Sequence, residues 1–213
     1  MTDTPKPLTF SRSPKLDATL ASGWEAWLAA MRAAGVPATA RWLADRAGDP
    51  DLLESATEFL APLADPDGDR EERVEGLMSL AEVAEEIEDP LLAEALWEGV
   101  LTEGKTGGDP DVVAEASARL AGLAEEMGDL LAAAESWVDF LNWRRLPGNS
   151  SDPEQVENAF DELARLADLD GARGAAATWR YRQAQFTRLW EAEDERTVDG
   201  DWTDGAGAWS GWE

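Results

Sequence analysis

Two residue types with wide chemical reach are missing from these 213 residues: there is no cysteine and no histidine. Without cysteine the chain has no disulfide, no thiolate metal site and no cysteine nucleophile. Without histidine it lacks the commonest general base near neutral pH, any Ser-His-Asp arrangement and the usual zinc ligand. Carboxylates could still hold Mg²⁺ or Ca²⁺, and Lys or Asp could act as a nucleophile. The thin inventory nevertheless points to a non-enzymatic protein with no catalytic residue, cofactor or metal. Long apolar runs are missing too. No stretch approaches the ~20 residues of a membrane span, and MTDTPKPLTFSRSPK at the start lacks the apolar centre of a signal peptide. A cytoplasmic protein with no membrane partner is expected.

Positive charge is scarce: 18 Lys and Arg stand against 45 Asp and Glu, for a net charge of −27. The imbalance is local. Residues 1–48 carry +2, residues 49–142 carry −22, residues 143–190 are neutral, and residues 191–213 carry −7. Such a surface repels nucleic acid and anionic membranes and favours a protein partner with a basic patch. Three lysines against fifteen arginines, with abundant alanine, equally fit a composition bias of the whole source proteome. The sequence leaves open which of the two explains the acidity, and it leaves the oligomeric state open as well.

Four segments superpose: Leu43–Phe59, Leu80–Trp97, Leu120–Trp137 and Leu163–Trp179. Each begins Leu-Ala and has a second Ala four residues after the Leu. Each then passes a Gly-Asp, Glu-Asp or Asp-Gly turn and reaches an aromatic 16 or 17 residues after the first Leu. From repeat to repeat the Leu advances by 37, 40 and 43 residues, a period typical of stacked helix pairs. Leu-Ala-x-x-Ala puts small residues on one helix face, so a second helix can approach closely. The turn stops the first helix, because Gly accepts positive φ at a cap and Pro suits the next start.

These signals predict helices over roughly 17–34, 37–47, 50–63, 70–88, 90–103, 110–127, 129–144, 153–168 and 171–193. Pro37, Pro50, Pro90, Pro110 and Pro153 fall at predicted starts, with Asp89, Asp109 and Asp152 as candidate N-caps. No alternating β-rich run competes, so the fold class is all-α. Three parts follow: an extended segment 1–16, a helical repeat domain 17–193, and a flexible acidic tail 194–213 rich in Trp and Gly.

Leu80-Ala81, Ala84, Ala93 and Trp97 sit where the tetratricopeptide-repeat family places its packing residues. So do Leu120-Ala121, Ala124, Gly128, Ala133 and Trp137. The chain resembles that family over about residues 37–193, with a longer period near 40. The resemblance implies antiparallel helix pairs stacked as a short right-handed α-solenoid with a protein-binding concave face, and it carries over no catalytic residue.

GVLTEGKT, Gly99 to Thr106, matches the phosphate-loop pattern G-x-x-x-x-G-K-[ST] letter for letter. A working loop needs a strand before it and a helix starting at its Lys-Thr. Here the match begins inside a predicted helix, with Gly104 as its stop and Lys105 near the negative end of its dipole. It is read as a chance match. Asp65, Asp67 and Asp69 begin a calcium-loop spacing, but Arg70 and Gly76 stand where that loop needs Gly and Glu. Glu82, Glu85, Glu86, Glu88 and Asp89 are read as the wet side of a helix whose apolar stripe is Leu77, Leu80, Ala84 and Ile87.

Partner-binding candidates come from two places. Arg144, Arg145, Arg173, Arg180 and Arg188 could grip a carboxylate or anion, or could pair with the chain's own acidic surface. Trp202, Trp209 and Trp212 punctuate a polar tail that cannot form a core alone, and exposed indoles call for a docking place. That place is either a groove of the same array or another protein. Trp24, Trp27, Trp42, Trp97, Trp137, Trp143, Trp179 and Trp190 are read mostly as packing. The expected function is a protein-interaction scaffold or adaptor acting through its helical groove, its tail or both. The rival is an acidic DNA mimic that blocks a nucleic-acid-binding protein, with no direct nucleic-acid contact by this chain in either case.

Overall fold

The computed structural model describes residues 16, 19–20, 22–144 and 152–198, with 191–198 as backbone only. Among these residues every regular element is helical. In chain order they are α1 (Trp24–Ala34), α2 (Val36–Ala47), α3 (Leu52–Ala64), α4 (Arg70–Glu86), α5 (Pro90–Gly107), α6 (Pro110–Glu126), α7 (Leu130–Arg144), α8 (Pro153–Leu169) and α9 (Arg173–Val198). The chain divides into two compact units, residues 1–99 and 100–213, with the division inside α5.

The Gly-Asp and Glu-Asp turns explain why the helices break where they do. Gly48, Glu88, Gly108 and Gly128 all adopt positive φ, the left-handed conformation that ends a helix. The Asp that follows donates its backbone N–H to a carbonyl five residues back: Asp49 to Ala44, Asp89 to Ala84, Asp109 to Gly104 and Asp129 to Ala124. The same side chain then accepts from the next element. Asp89 Oδ1 takes the Leu92 N–H at 3.2 Å, Asp109 Oδ1 takes Asp111 and Val112, and Asp129 Oδ1 takes Ala132 at 3.0 Å. One dipeptide therefore closes one helix and opens the next, satisfying orphan groups at both ends. Asp152 caps α8 through Glu154 N–H, and Asp69 caps α4 through Glu71 and Glu72.

Glu88 is the exception among these turns, being the one described non-glycine residue at positive φ (55°). A side chain costs energy in that conformation, while glycine tolerates it. Glu88→Gly is therefore expected to raise stability by about 1 kcal/mol. The check is the urea midpoint, and an unchanged or lower midpoint counts against a strained turn.

Residues 1–99 place α1 on α2 and α3, α2 on α3, and α3 on α4. The core holds Trp27, Met31, Leu43, Leu60, Leu77, Leu80, Leu96 and Trp97, each at most 1 % exposed. Burying each such side chain stabilises by about 1.5–3 kcal/mol. Trp97 Nε1–H donates to Glu85 Oε1 at 2.7 Å, and Arg46 at the end of α2 pairs with Asp89 just past α4.

In residues 100–213, α6 packs on α7, α7 on α8, and α8 on α9. The core joins Trp137 and Phe140 of α7 to Val156, Phe160 and Leu163 of α8 and Phe186 of α9. Gln155 near the start of α8 donates to Asp111 near the start of α6 at 3.0 Å. Arg165 near the end of α8 holds both carboxylate oxygens of Glu125 near the end of α6, at 2.8 and 2.5 Å. Starts meet starts and ends meet ends, so α6 and α8 lie side by side and parallel.

Sequence patterning misplaces several features. The helix expected over 17–34 breaks at Gly23 (φ 84°, ψ 176°), so α1 starts at Trp24, although Leu16 and Leu20 before the break are buried. Pro50 lies in the turn before α3. α5 runs through Gly104 to Gly107, and α9 continues to Val198, five residues beyond the predicted end and into the segment assigned to the tail. The Leu-Ala pairs 43–44, 80–81 and 163–164 are buried, but Leu120 is only partly so while Ala121 is 4 % exposed. Trp190, expected in packing, is 40 % exposed, and Trp179 is half-buried.

Candidate functional site

The phosphate-loop match lies wholly within α5. Its residue types have local explanations. A Cβ on Gly99 would stand 2.8 Å from the Trp24 ring, and one on Gly104 would stand 2.7 Å from Val112 Cγ1, so both glycines are close-approach sites. Lys105 reaches Asp139 of α7 in an ion pair, and Thr106 Oγ1 donates back to Thr102 O at 2.8 Å. A phosphate cradle needs backbone N–H groups free at a helix start, and in mid-helix those groups are spent on the helix itself. Lys105→Ala is expected to change stability by no more than about 0.5 kcal/mol, because the pair it breaks is largely exposed. Mg-ATP binding at micromolar Kd that this substitution abolishes would overturn that view.

Among the acidic candidates, Asp65, Asp69 and Asp89 accept hydrogen bonds from backbone N–H groups, and Glu85 accepts from the Trp97 indole. Asp65 Oδ1 accepts the Asp67 N–H at 3.0 Å, and Asp69 caps α4. On α5, Glu98 Oε2 accepts the Trp24 N–H at 3.1 Å, at the start of α1. Burial, reinforced by Glu98 one turn away, raises the Glu94 carboxyl above the ordinary range.

The arginines separate into distinct environments. Arg144 is 5 % exposed at the end of α7, and desolvation pulls its guanidinium down to about 10. It is therefore withdrawn from the open surface on which a partner would dock. Arg145, Trp202, Trp209 and Trp212 lie outside the described residues. Arg173, Arg180 and Arg188 are all exposed and all on α9. Arg180 pairs with Asp168 of α8, whereas Arg173 and Arg188 make no ion pair among the described residues.

The two sides of α9 differ sharply. Its inner side carries Trp179 and Phe186, whose rings lie 6.3 and 6.1 Å from Phe160 of α8, and Trp190, 6.2 Å from Phe186. Its outer side carries Tyr181, 62 % exposed, whose hydroxyl accepts from Gln185 Nε2 at 2.5 Å. At 100° per residue, Arg173, Tyr181 and Arg188 fall within one ~80° arc, about 22 Å long from first to last. Leu189, 44 % exposed, extends this surface, and Arg182 stacks over Trp179 at 4.9 Å.

Reading arginines alone picked out Arg173, Arg180 and Arg188 but passed over Tyr181, Arg182 and Gln185. A clearer signal lies in the sequence: residues 171–190 contain four arginines and no acidic residue, in a chain of net charge −27. Searches with protein-family models, among curated proteins and among solved structures find no match to this chain.

Proposed function

We propose that the chain is a non-enzymatic, cytoplasmic scaffold or adaptor that binds a protein partner. On this reading its helix pairs stack as a short, tetratricopeptide-like right-handed α-solenoid. The observation that carries the reading is the parallel pairing of α6 with α8 through Asp111–Gln155 and Glu125–Arg165. First helices of neighbouring repeats must lie in that way if a solenoid is to form. The recurring Gly-Asp turn, with its two hydrogen-bonding duties, gives the same support at the level of connections. Solenoids present long surfaces for other proteins, and a chain without cysteine or histidine has little chemistry to place on one.

The partner on this reading bears a basic patch that meets the acidic tail, and Trp202, Trp209 and Trp212 supply the apolar contact. The test is affinity measurement on partners captured with the full-length chain. Trp209→Ala with Trp212→Ala together should weaken binding by at least ~2 kcal/mol, the scale of interface hot spots, with helical content unchanged. Unchanged affinity for every captured partner removes the tail from the interface. A steep fall in affinity between low and moderate salt would instead favour the DNA-mimic reading, since the −22 stretch would then supply the binding through charge alone.

A further inference from the structure

We infer that the acidic C-terminal segment 199–213 docks in cis on the outer face of α9, over Tyr181 and between Arg173 and Arg188. Three observations carry this beyond the scaffold reading.

The first is the surface itself. On that face Tyr181 is 62 % exposed and shares one arc with the exposed Arg173 and Arg188. An open aromatic ring flanked by cations offers apolar and charged contact together. The second is charge. The receiving stretch 171–190 carries four arginines and no acid, and the segment 199–213 carries Asp199, Asp201, Asp204 and Glu213 with no basic residue. The −22 stretch 49–142 would repel that segment, as would Glu191, Glu193, Asp194 and Glu195 late in α9, which directs it to the arginine-bearing stretch before them. Arg173 and Arg188 are both exposed, and neither makes an ion pair with a described side chain.

The third is reach. The segment leaves the end of α9 directly, at Val198. Tyr181 lies 17 residues back along the helix, about 26 Å at 1.5 Å per residue. Trp209 lies 11 residues past Val198, a span of up to about 36 Å when extended, and a turn at Gly200 leaves nine residues, about 30 Å, for the return to Tyr181. A tether this short holds the two surfaces at an effective concentration in the millimolar range. A contact with a millimolar intrinsic Kd is then closed about half the time, which a few charge pairs and an indole on a tyrosine can supply.

Docking masks the basic face and the tail tryptophans together. A partner with a basic patch must then compete with α9 for the tail, which makes the segment an internal brake on binding.

The composition permits a clean test on the full-length chain. There is no native cysteine, so Ser210→Cys carries a single nitroxide, and Tyr181 is the only tyrosine, so ring-labelled tyrosine gives one signal. The nitroxide is expected to broaden the Tyr181 resonance, with recovery when the label is reduced. Broadening should vanish in Arg173→Glu with Arg188→Glu, two exposed positions whose replacement should leave the helical content intact. It should also be absent when spin-labelled chains without isotope are mixed with isotope-labelled chains without a spin label. An unaffected Tyr181 signal, broadening that persists after charge reversal, or broadening in the mixed sample would each overturn docking in cis, the last by assigning the contact to a second copy. No partner is needed for this readout, so a negative result leaves the scaffold reading standing.

Discussion

Trp97→Ala is expected to lower stability by about 3–5 kcal/mol, the cost of emptying a filled aromatic site. Trp97 is fully buried on α5, and its ring is among the largest wholly buried side chains in the protein. The removed ring takes its transfer free energy with it and leaves a cavity that the flanking helices cannot close without moving. The lost hydrogen bond to Glu85 adds little, because that carboxylate is half-buried and water can replace the indole N–H. Trp97→Phe separates the two contributions. It also removes the donor but keeps most of the volume, so it should cost clearly less than the alanine variant. Urea unfolding of the three proteins gives the measurement. Equal losses for Phe and Ala would mean that the hydrogen bond, and not the filled volume, carries the stability.

Ala121→Trp is expected to cost about 3 kcal/mol, the upper end of the overpacking range, for the opposite reason. Ala121 on α6 is 4 % exposed and belongs to the core shared with Ala124, Ala133, Trp137 and Phe140. A small residue there lets neighbouring helices approach, and an indole would force them apart or be expelled. The adjacent Gly122 is a built-in control, because a side chain added there meets nothing within 4 Å. Trp at 122 should therefore be far better tolerated than Trp at 121. An unchanged urea midpoint for Ala121→Trp would place the inward face of α6 elsewhere, and the Leu-Ala alignment with it.

The elements themselves were written into the sequence. Helix type, the turns at Gly48-Asp49, Gly108-Asp109 and Gly128-Asp129, and the caps at Asp89, Asp109 and Asp152 depend on hydrogen bonds between residues at most five apart. Signals of that range survive in a linear string, and so the predicted starts at 70, 90, 110 and 153 coincide with those observed. Gly104 was misread for the converse reason. A glycine can end a helix or admit a neighbour, and only the position of Val112 against it decides.

Burial followed the same division. Pattern alone could not tell that Arg144 would be enclosed while Arg173 and Arg188 stayed open, or that Trp190 would stand at the exposed end of an aromatic row. Leu120 and Ala121 are neighbours in a repeated motif, yet the alanine is the more deeply buried of the two. Sequence by itself determined where the chain turns and which faces are apolar, because backbone hydrogen bonding and side-chain period are local. Only tertiary structure decided which of those faces is covered and which charge finds a partner. A face is covered by helices from elsewhere in the chain, and a charge is neutralised by a residue tens of positions away, as Arg46 is by Asp89 and Lys105 by Asp139.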